Sequence, residues 1–143
     1  MAAVHHRVSI DAPVARVFEA LSSAEAIGTW WAKQTATRTD RGLVLEHDPG
    51  PEHGVVKLLV VELVPNRRIE WECISTHPKS SPASAWTDTH FVFELTERGA
   101  LATLDFHQTG YPEHSEFYGF NKSAWAQVLE NLKRVVESGL DEH

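Results

Sequence analysis

Residues Thr87–Gly110, TDTHFVFELTERGALATLDFHQTG, alternate apolar and polar side chains along two runs that break at Arg98-Gly99. Alternation on both sides of a short polar break is the pattern of a β-hairpin. The odd positions of the first run, Thr89, Phe91, Phe93 and Leu95, share one face with the even positions of the second, Ala102, Leu104, Phe106 and Gln108. A two-residue loop at Arg98-Gly99 sets Phe91 opposite Phe106 and Phe93 opposite Leu104. The reverse face then places His90 opposite His107, with Asp88 and Asp105 diagonal to them. One face of the hairpin is aromatic; the other carries histidines and carboxylates.

Upstream, VHHRVSI (Val4–Ile10) alternates and reads as a strand. Asp11 and Pro13 then open a helix whose apolar stripe is Val14, Val17, Phe18 and Leu21. A second helical turn, SAEAIGTWWA, has Ser23 as its cap and Gly28 weakening its end. Strands are expected at about 34–38, 43–47, 55–63 and 69–74. HPKSSPAS (His77–Ser84), polar and holding two prolines, is one long connection before the hairpin. Downstream, residues 115–138 read as a long amphipathic helix with Trp125, Val128, Leu129, Leu132, Val135 and Val136 on its stripe and Gly139 as its stop.

Strand, two helices, six strands and one long helix make an α+β fold with an antiparallel, seven-stranded sheet. A sheet of that size curls, and one long helix fills its concave side. Such wrapping leaves a cavity between sheet and helix, and apolar cavities of this kind hold small molecules.

At 143 residues the chain suits a single domain, 1–143, burying about 70% of its unfolded surface. No apolar run reaches the ~18 residues of a membrane span, so no integral membrane contact is expected. MAAVHHRVSI lacks the apolar centre of a secretion signal, and the lone cysteine, Cys73, fits a reducing cytoplasm. A net charge of −7 argues against a nucleic-acid partner. Serine-hydrolase, zinc-protease, P-loop and dinucleotide fingerprints are all absent, so enzymatic signals are thin and no cofactor is expected.

Five pieces in this order carry a resemblance: IDAPVARVFEAL, IGTWW, VVELVPNRRIEWEC, HFVFELTERGALATLDFHQTGYP and SAWAQVLENLKRVVESG. Together they resemble the START-like, Bet v 1-like superfamily, and within it the group similar to the activator of Hsp90 ATPase. Relatives often have glycine before the final-helix tryptophan, where this chain has Ala124, which is also small. The resemblance implies a helix-grip fold and a ligand cavity. It implies no single activity, since members include binders, cyclases and co-chaperone domains.

Candidate site residues follow from the inner face. Trp30 and Trp31 are adjacent and cannot share a helix face, so one anchors the core and the other points to the cavity mouth or to solvent. Phe117 and Phe120 complete that mouth; Trp71, Phe91, Phe93, Leu104, Phe106, Trp125 and Leu129 line the interior. Thr89 and Gln108, with Tyr111 or Tyr118, are its polar points. Cys73 has no nearby cysteine or histidine at a spacing that suggests a nucleophile or a metal. His90 and His107 with Asp88 or Asp105 carry N/O donors suited to zinc, but on a wet outer face where polar residues belong anyway, so no metal is expected. Strand 55–63 is apolar on both faces, which signals either a bulge or a buried outer face, as in a homodimer. These residues point to a module that binds a small, largely apolar molecule, lipid-like or aromatic. The alternatives are a co-chaperone-like domain with a chaperone partner, and a cyclase- or aromatase-like enzyme.

Overall fold

The computed structural model describes residues 2–112 and 115–139. In chain order these form β1 (Ala2–Ile10), α1 (Val14–Leu21), α2 (Ala24–Ile27), β2 (Thr35–Thr39), β3 (Gly42–His47), β4 (Val56–Val64), β5 (Arg68–Cys73), β6 (His90–Arg98), β7 (Leu101–Tyr111) and α3 (Tyr118–Gly139). The seven strands make one antiparallel sheet in the order β1-β7-β6-β5-β4-β3-β2. This is the expected α+β helix-grip, a curved sheet closed around the C-terminal helix. Ser23 caps α2, its side chain accepting from the Ala26 N–H.

The hairpin forms, but its register differs from the sequence reading. Arg98 pairs with Leu101, so the loop is Gly99-Ala100 rather than Arg98-Gly99. Phe93 faces Phe106 and Phe91 faces Gln108, not Phe106. A shift of two in the pairing sum preserves parity, so the aromatic face stays intact. The turn explains the choice: Gly99 has φ +61°, and glycine at the first position of a two-residue loop matches the twist of the strands. His90 therefore lies opposite Thr109 and His107 opposite Val92, and the two histidines are not direct neighbours. Asp88 precedes β6 with φ +68° and takes no place on the hairpin's outer face.

Strand β4 carries the bulge. Its pairing with β5 slips between Val60 and Glu62, leaving Val61 42% exposed beyond the kink. Before the slip, Leu59 faces outward yet is buried against Val44. The double apolar row thus has two causes: a bulge at Val61, and an outer-face pair, Leu59 and Val44, buried within the chain itself.

The core occupies the concave side. Ile69, Trp71 and Cys73 from β5, Phe91, Phe93 and Leu95 from β6, and Ala102, Leu104 and Phe106 from β7 are all buried there. Trp125, Leu129, Leu132 and Val136 from α3 pack onto them. Polar ties then fasten α3 along β1: Tyr118 to the Ala3 carbonyl (2.8 Å), the Lys122 carbonyl to His6 (2.9 Å), and Lys133 to the Ser9 carbonyl (2.7 Å). Near its end, Glu137 accepts from the Asp11 N–H (2.8 Å).

The convex side is a charge lattice. Arg68 bonds Glu62, Glu70 and Glu94, and His90 bonds Glu70 at 2.6 Å. Arg7 and His5 share Asp105, and His5 stacks on His107 with ring centres 4.5 Å apart. Burial raises the pKa of Glu70 and of Asp105, yet the hydrogen bonds and nearby charge of Arg68 and Arg7, with hydrogen bonds from His90 and His5, hold both below the usual carboxylate range.

Candidate functional site

The loop between β5 and β6 holds what the sequence reading missed: a short 3-10 helix, Pro82–Trp86, started by Ser81, whose side chain accepts from the Ala83 N–H. It carries Trp86 over the end of the sheet, where Trp86 lies edge-on to Phe91 at 5.1 Å. The indole N–H donates to Asn121 of α3 (2.9 Å), and Asn121 donates to Gln108 (2.7 Å). Gln108 donates to Thr89 (3.0 Å), whose hydroxyl donates to the Trp86 carbonyl (2.6 Å), closing a ring of hydrogen bonds. Thr89, Gln108 and Asn121 are all buried. A closed, satisfied ring of this kind locks three segments together at the end of the core. Asn121 could have been found in the sequence only as a polar residue next to the final helix's apolar stripe.

The tryptophan pair divides its labour. Trp30 is buried and its N–H donates to the Ala20 carbonyl at 2.8 Å, tying the turn after α2 to the end of α1. Trp31 is half-buried and lies among five other aromatic groups: His47 (4.8 Å), Trp125 (4.9 Å), Trp71 (6.1 Å), Trp86 (6.1 Å) and Trp30 (6.3 Å). Behind it, Trp125 stacks on Phe106 at 4.6 Å and Phe91 and Phe93 close around the same ring. Leu104 and Leu129 are fully buried in the same core. In front of Trp31 opens a cleft of about 270 Å³, whose walls include His47, Val56, Ala83, Trp86 and Phe120. Phe120 is 64% exposed at its rim. Phe117 lies at a different surface cleft, with Pro112 and Ser115. Tyr118 is spent on β1, and Tyr111 is buried edge-on to it at 5.7 Å.

His47 was not read from the sequence. It ends β3 on the concave face, 8% exposed, and Gln34 holds its Nδ1 at 3.1 Å. Burial takes its pKa from the ordinary 6.5 down to about 4; nearby His77 adds to the depression and Asp48 opposes it. The ring is therefore neutral near pH 7 and too weak a base for efficient proton abstraction there. His53 reaches Ser81 at 2.6 Å, and Glu52 lies 3.5 Å from the other side of that ring. That Ser-His-Glu sequence looks nucleophilic, but the Ser81 hydroxyl is buried and already accepts from Ala83 as a cap. Burial also raises the Cys73 thiol's pKa, keeping it protonated and inert. Among the described residues, no three histidine, cysteine or carboxylate groups converge as a metal site.

The sequence pattern of the family described as activator of Hsp90 ATPase homolog 1-like protein matches residues 11–137. The chain belongs to that family. Solved structures agree on the fold. The Aha1 dimer from Colwellia psychrerythraea is 22% identical with a TM-score of 0.80, over 97% of this chain and 98% of that one. Protein MLL2253 from Mesorhizobium loti is 22% identical with a TM-score of 0.77, over 94% and 96% of the two chains. DynU16, from the dynemicin biosynthetic locus, is 21% identical with a TM-score of 0.73; it matches 96% of this chain over 48% of its own length. Comparison with curated proteins finds no significant match. Among the described residues, no helix is long and apolar enough to cross a membrane.

Proposed function

We propose that this chain is a small-molecule binding module whose largely apolar ligand enters at Trp31, between the sheet and the start of α3. One observation carries this reading: the cleft in front of Trp31 is walled by aromatic and aliphatic groups and backed by an aromatic core. Its volume lies just under the usual range for ligand pockets, which favours a ligand of one or two rings. Trp31 is the plug between cleft and core. Displacing it would let a longer or lipid-like ligand reach Trp71, Phe91, Phe93 and Trp125, and with them Leu104, Phe106 and Leu129. Thr89 and Gln108 would then meet the ligand only if their ring of hydrogen bonds opened.

The test is tryptophan fluorescence during titration with single-ring aromatics, two-ring aromatics and fatty acids, alongside native mass spectrometry of the purified protein. The expected result is saturable quenching by the ring compounds, reduced in Trp31→Phe. Absence of any saturable response, with no co-purified small molecule, would sink the reading. The co-chaperone alternative draws on family membership; pull-down of an Hsp90-type chaperone by a chain that binds none of the probes would favour it.

A further inference from the structure

The imidazole of His47 has a defined polarity. Gln34 donates through Nε2 to the Ala32 carbonyl at 2.8 Å, which fixes the orientation of its amide. The atom it turns towards His47 Nδ1, at 3.1 Å, is thus the carbonyl oxygen Oε1, an acceptor. Only an N–H can answer an acceptor, so Nδ1 carries the ring proton. In a neutral ring Nε2 is then left with a lone pair. That nitrogen makes no hydrogen bond among the described residues, although the side chain is more than nine-tenths buried and lines the cleft. Among the described residues the Tyr111 hydroxyl is the only sealed side-chain polar atom without a partner, so Nε2 is open to solvent at the cleft, and a ligand that displaces water there must answer it with a donor. Of the groups lining the cleft, Val56, Ala83 and Phe120 offer only apolar surface, the Trp86 N–H is committed to Asn121, Ser81 and His53 bond each other, and the Trp31 indole N–H makes no hydrogen bond to this nitrogen.

We propose that His47 Nε2 is the polar contact that selects the ligand, accepting a hydrogen bond from a hydroxyl or N–H on a flat, neutral, apolar ring held against Trp31 and Trp86. This rests on the small-molecule reading above and sharpens it to a substrate class: phenol-like or indole-like donors rather than ethers, hydrocarbons or carboxylates. His47 acts here in binding, as a fixed acceptor. An anionic ligand gains nothing from this contact, because a lone pair facing an anion repels it. A pure hydrocarbon would bury Nε2 unanswered. Gln34 is the positioning residue, since it alone holds the proton on Nδ1.

The experiment compares 1-naphthol with 1-methoxynaphthalene, probes of nearly one shape that differ in the donor. By titration, naphthol should bind the wild-type chain roughly tenfold more tightly, the range for leaving one acceptor unanswered when a ligand displaces its water. His47→Phe should erase that preference while still binding the ether. So that the test does not depend on how that variant folds, the same contact is also read in the wild-type protein with ¹⁵N-labelled histidine. His47 should show a protonated Nδ1, and its Nε2 resonance should move with naphthol but not with the ether. If both probes bind equally and Nε2 stays still, this inference is overturned while the small-molecule reading stands. If neither probe binds, the inference fails, and the small-molecule reading fails with it only when the single-ring aromatics and fatty acids also give no response and no small molecule co-purifies. A protonated Nε2 in the free protein would overturn the inference alone.

Discussion

At the scale of single residues, burial decides what polar groups can do. His47 has a folded pKa of about 4, below its ordinary 6.5, because burial disfavours the imidazolium form. The unfolded chain therefore binds the proton first as pH falls, and stability drops from 6.5 down towards 4. By linkage the loss between about pH 7.5 and about pH 5 is roughly 2 kcal/mol from this group. Urea unfolding at the two pH values should show that loss in the wild type and a shallower one in His47→Gln. Asn121 shows the same physics for a neutral group. Asn121→Ala leaves the Trp86 N–H and the Gln108 carbonyl oxygen without partners. Each stranded group costs about 1–3 kcal/mol, so the denaturation midpoint should fall markedly with little change in slope. An effect below about 0.5 kcal/mol would mean that water replaces Asn121.

At the scale of elements, the β6–β7 hairpin and α3 divide the tasks. The hairpin supplies the aromatic floor, and its geometry rests on Gly99. A Cβ at Gly99 would meet no atom within 4 Å, so only backbone conformation is at stake. With φ at +61°, Gly99→Ala should cost about 1–2 kcal/mol, while Gly99→Asn should cost less. Thermal unfolding of the two variants checks the ranking, and equal stability would show that the turn relaxes to another form. On α3, Trp125 brings the helix onto Phe91 and Phe106, and Tyr118, Lys122, Lys133 and Glu137 tie its length to β1. One edge of the helix is thus pinned, while its start at Phe120 borders the cleft.

For the whole molecule, stability should be graded from one end to the other. The centres of β6 and β7 and the Trp125–Val136 stretch of α3 hold the most buried side chains, whereas every residue of β2 is exposed. Hydrogen exchange should therefore be slowest in the hairpin and central α3 and fastest in β2. Around the cleft, from Ser81 to Trp86 and near Phe120, exchange should be intermediate and slow further with naphthol. Uniform protection would contradict a graded core, and unchanged exchange at the rim with bound probe would move the site elsewhere.

Local periodicity determined much of this protein by itself. The alternation in Thr87–Gly110, the stripe of the final helix and the solvent-facing role of His90 and His107 all follow from which side of an element a residue occupies. That is a property of neighbouring positions, and so is the division between Trp30 and Trp31, although not which of the two is buried. The doubled apolar row of β4 was visible, yet dividing it between a bulge at Val61 and a buried outer pair, Leu59 and Val44, needed the pairings with β3 and β5. Only the tertiary structure decided the hairpin register, because both registers keep the same face and differ in turn geometry. It also brought together Trp86, Asn121, Gln108 and Thr89, and set His47 beside Gln34 at the end of the aromatic core. Those groups come from distant parts of the chain. Their hydrogen bonds and their burial come into being only when the sheet curls around α3, so no local pattern records them.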